Sequence, residues 1–490
     1  MRQKLCYTYN YLIFTVSLLV SVAVMTDWNA QNRRGLSLLF LLPVCFGFIH
    51  LLYFSINIVL RSGIGVKVYY AIMVVRYLLV PLMIASTDGA YNTLPITMPM
   101  VSVSKAGYRF SVIAMLVELM AASLSIRYYS EKLSARYTEL QKIEEIGEKN
   151  KGFSATGIMF VVIILLMLSR RNINSLMSTF SFFTIEEKYQ NATSDAYGIV
   201  LALTLKSIIF LVVLNYCLKK FQKSNKLRWV FLALITSFLN IAIFFGYNRS
   251  LVLETAIATI YVLYLCFPRY KKMFMCVLVP VISLIMVSMI VIKQFGVAFA
   301  QADYSSLINF AEFSNTIECY VCGPWAEGCG YDAAVKAMGY NSLEIFIKDF
   351  IANSFISYLP GFTWTLDLFP DVMRSTELHQ QFSNSWQMLP LTAHCAYYVG
   401  PILAPVLSSG FTVLFIKILI FCDYKGKYCA DLYKKYAYIL TALLFSFSMC
   451  YTWVTLLWCF TKTMLFVFVF IFLNEYHYIG NGKLKRYRTE

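Results

Sequence analysis

The sequence predicts an all-α polytopic membrane protein with about twelve transmembrane helices and one large extracytoplasmic loop. Three observations carry this. Hydrophobic residues make up 59% of the 490-residue chain and charged residues only 14%, whereas soluble domains carry about a quarter charged residues. Apolar runs long enough to cross a bilayer recur along the whole length, which excludes a soluble enzyme with a single anchor. Between residues 293 and 391 the apolar runs stop and a domain-sized polar segment intervenes.

The expected spans fall near 11–26, 36–60, 68–86, 108–126, 153–169, 197–216, 229–247, 250–267, 273–292, 392–421, 437–454 and 457–474. The first follows Arg2 and Lys4 and runs into Asp27-Trp28 without a small-residue cleavage site, as a retained helix does and a signal peptide does not. An even number of spans puts both termini on one side. With those termini cytoplasmic, 26 of the 42 Lys and Arg lie inside, in keeping with the positive-inside rule. The segment 127–151 alternates charge sign at helical spacing and reads as a solvated cytoplasmic helix. The tail Lys483–Arg488 reads as an anchor beside anionic headgroups. The chain thus divides into spans one to nine over 1–292, an external loop over 293–391, and the last three spans with a cytoplasmic tail over 392–490.

That loop holds four cations against ten acids in a chain of net charge +16, so an acidic external cap sits on a basic membrane body. Within Asn341–Leu359, Leu343, Phe346, Ile347, Phe350, Ile351 and Phe355 recur at helical spacing. They predict an interfacial helix ended by Pro360-Gly361. Trp325, Trp364 and Trp386 in the loop, with acids such as Glu377, are candidates for stacking on and hydrogen-bonding a sugar; docking on the membrane or packing of the loop itself is the better explanation of any single tryptophan. Cys319, Cys322 and Cys329 lack a fourth soft ligand, so zinc is not expected. They form one disulfide or remain thiols.

No phosphate-cradling glycine loop, HExxH, nucleophile elbow or dense carboxylate cluster is present. No metal, cofactor or nucleic-acid partner is implied. The candidate chemistry lies instead in ionisable groups at external helix ends. In Gly246-Tyr-Asn-Arg-Ser-Leu-Val-Leu-Glu254, Arg249 stands between two apolar runs with almost no polar loop around it. A guanidinium there is costly unless it binds an anion, for which its planar fork suits a phosphate. Snorkelling into headgroups is the plainer explanation of one such arginine. Arg170 and Arg171 on the same side run against the positive-inside bias and favour an anion, and Arg374 in the loop joins them. Glu254 lies about 140° around the helix from Arg249 and does not share its face. Its partner is therefore Lys206 or Arg76, or it is protonated. His394, in Leu391-Thr-Ala-His-Cys-Ala-Tyr-Tyr398, is the candidate base for a sugar hydroxyl; a buried histidine bonded to a tyrosine is the structural alternative. His379 has the same possible role from a weaker position. Asp27 and Asp88 are weaker external acids, and His50 and His477 read as structural.

A span ending in Gly-x-Asn-Arg-Ser-Leu and re-entering the membrane resembles the arginine hairpin of Wzy-type polysaccharide polymerases. So does the glycine- and proline-bearing stretch Tyr397-Tyr-Val-Gly-Pro-Ile-Leu-Ala-Pro405, followed by Gly410, after a long external loop. The resemblance covers nearly the whole chain as layout plus short motifs. It implies a metal-independent glycosyltransferase of GT-C-like fold, similar to the O-antigen ligases. Such an enzyme joins undecaprenyl-diphosphate-linked oligosaccharide units on the outer face of the bacterial cytoplasmic membrane, in the lipid bilayer and with a chain-length regulator as a possible partner. Arg249, Arg170, Arg171 and Arg374 would hold the diphosphate, and His394 or a loop carboxylate would take the acceptor proton. An O-antigen ligase and a lipid-linked oligosaccharide flippase are the alternatives. A flippase would place its charges in a central cavity between two related halves, and no internal repeat is evident.

Overall fold

The computed structural model describes residues 2–26, 35–53, 56–87, 103–138, 196–242, 249–284, 310–340, 342–354, 364, 368–383, 389–479 and 483–486. Apolar runs with few charges fold as helices because each backbone N–H must find its partner within the segment. Among the described residues this gives a helical chain plus one antiparallel hairpin, β1 (Tyr476–Ile479) with β2 (Lys483–Arg486).

The membrane-length helices are α1 (Arg2–Thr26), α3 (Ile64–Ser86), α4 (Lys105–Thr138) and α13 (Ala404–Tyr428). With the shorter α2 (Leu41–Leu52), they surround one apolar core. A second core lies under α5 (Ala196–Ser224), α6 (Leu227–Ala242) and α7 (Arg249–Cys266). Helix α7 and the helical stretch Pro268–Leu284 are bent by 118° where Pro268 cannot continue the helix. Among the described residues four helices are thus long and apolar enough to cross a membrane, or five if the bent pair counts as one. Twelve continuous spans are not seen among the described residues. The expected spans at 437–454 and 457–474 are shorter pieces: α14 (Leu432–Ser446), α15 (Trp453–Thr463) and α16 (Leu465–Glu475). The break before α15 is set by Thr452, whose hydroxyl accepts from Thr455 N and caps a new helix. The expected span at 153–169 lies outside the described residues.

The segment expected as an external cap contributes α8 (Phe310–Val321), α9 (Pro324–Lys336), α10 (Leu343–Asn353) and α11 (Ser375–Ser383), followed by α12 (Leu391–Val399). These helices do not stand apart. Trp325, Ala326, Cys329, Ala333 and Ala334 of α9 belong to the same core as Tyr77 of α3 and Leu119 of α4. Helix α14 is buried on nearly every side and joins the two cores, as expected for a helix apolar all round.

The segment expected as an interfacial helix contains α10, which ends at Asn353 and not at Pro360-Gly361. Leu343, Ile347 and Phe350 are exposed on it, while Ile345 and Asp349 face inward. Phe346 reaches Phe411 and Trp453 with ring centroids 6.4 and 4.9 Å away. Phe411 lies two turns into α13.

Candidate functional site

Helix α12 starts behind Pro390, which pre-sets its own φ and leaves no backbone donor there. It ends at Gly400, whose φ of 80° a residue with a Cβ adopts at a cost. Within it His394 and Tyr398, four residues apart, share a face. Their side chains meet three other segments of the chain. His394 Nε2 hydrogen-bonds Ser375 Oγ of α11. It lies 2.8 Å from Tyr398 OH and 3.5 Å from Asp349 Oδ2 of α10. Tyr398 OH donates to Asp349 Oδ2 at 2.7 Å and accepts from Trp453 Nε1 of α15 at 3.1 Å. The Trp453 ring stacks on the imidazole with planes 12° apart.

One proton assignment satisfies these contacts. Because Tyr398 gives its proton to Asp349, its oxygen is free to accept from both Trp453 and His394. The imidazole proton then lies on Nε2, toward Ser375, Tyr398 and the carboxylate. That leaves Nδ1 as the unprotonated nitrogen, and among the described residues it has no hydrogen-bond partner. His394 is fully buried, so this lone pair is held ready but shielded.

The rim is polar. Arg374, at the N-cap of α11, donates its backbone N–H to Glu377 Oε2 at 2.9 Å, the reach-back contact of a capping box. Its guanidinium meets Glu377 Oε1 at 2.6 Å, with both side chains more than a third exposed. Burial works against the Glu377 carboxylate, but the Arg374 hydrogen bonds and charge outweigh it and hold its pKa below the ordinary value. Lys348, beside Asp349, donates to Phe369 O and Val372 O and ties α10 to the chain leading into α11. His379 pairs through Nδ1 with Tyr397 OH at 3.2 Å. Burial first, and the electrostatic influence of the nearby His394 second, lower its pKa to about 4. It is therefore neutral at neutral pH.

A buried ionic cluster lies behind the histidine. Arg76 stands on a π-helical turn, Val75–Leu79, inside α3. Such turns often mark functional positions. Arg76 Nη1 donates to Glu118 Oε2 of α4 at 2.7 Å and to Met449 O at 3.1 Å. Its Nη2 donates to Glu327 Oε1 of α9 at 3.3 Å. Glu327 Oε2 in turn accepts from the backbone N–H of Ala393, the residue before His394, at 3.3 Å.

The residues singled out from sequence scatter around this arrangement. His394 is at its centre, in the histidine–tyrosine pairing weighed as its structural alternative. Arg374 and Glu377 are at the rim, occupied with each other. Trp325 is 3% exposed and fills the core, so its ring has no free face for a sugar. Trp364 is 58% exposed. Arg249 begins α7, but its side chain is outside the described residues, as are Arg170, Arg171, Trp386, Asp27 and Asp88. Glu254 is buried with Oε1 unpartnered among the described residues, while Arg76 is engaged by Glu118 and Glu327. Lys206 donates to Asn240 O. Cys319, Cys322 and Cys329 are free thiols. Sequence reasoning missed Asp349, Ser375, Trp453, Glu118 and Glu327. The signal for Glu118 was present, since a lone carboxylate in an apolar run demands a partner.

No family model matches the chain, and neither a curated protein nor a solved structure matches it.

Proposed function

We propose that the chain is a metal-independent membrane glycosyltransferase that polymerises lipid-diphosphate-linked oligosaccharides, in the manner of the Wzy-type polymerases its sequence resembles. The observation that carries the reading is the His394 shell. Four chain segments fix one imidazole tautomer and leave Nδ1 without a hydrogen-bond partner among the described residues. Holding a base in one tautomer and orientation is what general-base catalysis requires.

In this reading the acceptor sugar hydroxyl attacks the anomeric carbon of the donor, and its proton passes to His394. The bond from that carbon to the diphosphate oxygen breaks. The leaving diphosphate gains negative charge, which Arg249, Arg374 and the Arg170-Arg171 pair counter on the external side. Trp364, with its exposed ring, is the tryptophan still available to stack on a sugar. The exposed face of α10 gives the lipid tail an apolar approach to the same place. Because His394 is shielded, α10 or α11 moves outward when the acceptor binds.

The test is direct. Purified protein in proteoliposomes is given undecaprenyl-diphosphate-linked repeat units, and the products are separated on a gel. A ladder of glycan lengths supports polymerisation, and its loss in His394→Ala supports the base. Transfer to a lipid A core instead identifies a ligase. Movement of intact substrate across the bilayer without any new glycosidic bond identifies a flippase and sinks the proposal.

A further inference from the structure

We propose that Glu327 is a positioning residue for His394, acting through one proton that the Arg76–Glu118–Glu327 cluster holds. This rests on the reading of His394 as the base.

Two contacts place Glu327. The first N–H groups of a helix have no partner within it, and Pro390 at the N-cap of α12 has no side-chain acceptor to offer. Glu327 Oε2 supplies one from another helix by accepting from Ala393 N. One turn along the same face of α9, Gly330 lets the helices touch: a Cβ there would overlap Ala393 Cβ and Leu389 Cδ1. Helix α9 therefore sets both the hydrogen bonding and the distance of the turn that carries His394.

The proton follows from charge. The cluster holds one guanidinium and two carboxylates, with side-chain exposures of 0%, 3% and 1% for Arg76, Glu118 and Glu327. Two ionised carboxylates would leave a net negative charge away from water, a heavy cost. Glu118 has the shorter bond to Arg76, 2.7 against 3.3 Å, so the proton belongs on Glu327. The groups facing Glu327 are Arg76 and Tyr77 of α3, Glu118 of α4, Cys322 after α8 and Cys395 of α12. They offer one cation against a second carboxylate, a phenol and two thiols. Burial pushes the Glu327 carboxyl up and Glu118 adds to this, while Arg76 and the Ala393 N–H pull it back, leaving it at about 8. Above that value the proton leaves. The stronger hydrogen bond to one N–H does not offset the uncompensated charge, so the contact of α9 with α12 loosens and His394 shifts.

The test compares the full-length protein with Glu327→Gln, which keeps the shape of the protonated carboxyl and one acceptor oxygen but does not titrate. Iodoacetamide labelling of the buried Cys395, beside His394, is followed by peptide mass spectrometry at about pH 7 and about pH 9. Comparing the two proteins at one pH removes the ordinary rise in thiolate. The expected wild-type to variant ratio is about one at the lower pH and about tenfold at the higher, since local opening exposes the thiol. A ratio of one at both overturns the proposal. If Glu327→Gln does not fold, Glu118→Gln carries the same test, because removing the competing carboxylate lets Glu327 ionise against Arg76 without net charge. Equal alkaline labelling of that variant and wild type likewise overturns it. In the glycan assay, the wild-type rate falls above about pH 8 relative to its neutral value and that of Glu327→Gln does not. A labelling difference with no glycan product from any protein rejects the glycosyltransferase and leaves the cluster's role intact. A normal ladder with an unchanged alkaline limb in Glu327→Gln does the reverse.

Discussion

Tyr398→Phe removes one oxygen and nothing else, at the point where the most contacts of the site converge. The ring stays beside His394 and Phe346, so no cavity larger than a hydroxyl opens. Two buried partners lose a bond. Trp453 Nε1–H, 3.1 Å away, is left without this acceptor, and Asp349 Oδ2, 2.7 Å away, loses its closest donor. An unsatisfied buried donor costs about 1–3 kcal/mol and a charged acceptor stands at the upper end, so the loss in stability is about 3–5 kcal/mol. The second effect is on the imidazole. Losing one of the groups that hold the proton on Nε2 removes about 1.4 kcal/mol of tautomer preference, about tenfold in the population with a free Nδ1 lone pair. Thermal unfolding in detergent, read by a thiol-reactive dye as buried cysteines such as Cys395 and Cys450 become exposed, measures the first effect. The rate of glycan formation measures the second. A variant within about 1 kcal/mol of wild type would refute the hydrogen-bond assignment, since two buried orphans cannot be that cheap. A destabilised variant with an unchanged rate would leave the shell as architecture only. The cycle with Asp349→Asn adds a check, for residues sharing one network are expected to be non-additive.

His379→Asn tests a pH effect with a definite sign. The His379 pKa falls from 6.5 to about 4 on folding, so the unfolded chain binds more protons between those values; the wild type loses about 3 kcal/mol as pH falls across that window and the variant does not, as melting curves at stepped pH will show. Gly330→Ala forces α9 away from Ala393, and its expected cost of about 1–3 kcal/mol comes with a fall in glycan formation; normal values of both measured together rule out close packing of α9 on α12. Arg374→Ala breaks an ion pair that is largely exposed, so the melting temperature moves by less than about 1 kcal/mol would move it. Its effect should appear in the apparent affinity for the lipid-diphosphate donor, and an unchanged KM removes Arg374 from the anion site.

The sequence makes some of this legible and not the rest, for physical reasons. His394 and Tyr398 lie four apart on one short helix, so their contact is local and visible in the spacing. The partner of Arg76 is different: Glu327 lies 251 residues away, and nothing in either local pattern specifies the pairing. Hydropathy identifies apolar runs but not their continuity. Thr452 restarts a helix, Pro268 turns one, and Gly400 separates α12 from α13 inside a run that reads as a single span. The helix that restarts at Thr452 carries Trp453 to Tyr398 and His394, and Gly400 ends the helix that carries His394.

The acidic charge of the segment 293–391 also takes on a different meaning. Its acids suggest a cap that greets sugars with carboxylates, yet several are committed to helix N-termini. Asp332 accepts from Ser104 N at 2.6 Å, at the start of α4. Glu318 accepts from Trp325 N at the start of α9. Glu327 does so for α12 and Glu377 for α11. Each carboxyl group gives an acceptor oxygen to N–H groups at a helix start, where backbone donors lack partners of their own. Three of these helix starts, those of α4, α9 and α12, pack in one core with spans α3 and α13. These acids are thus part of how the segment is fastened to the other helices, and they do not require an acidic ligand-binding surface. Asp349 is the exception: it caps nothing, keeps Oδ1 without a partner among the described residues, and turns its other oxygen to Tyr398 and His394. A carboxylate excused from capping and aimed at an imidazole is the strongest single reason to look for proton transfer there.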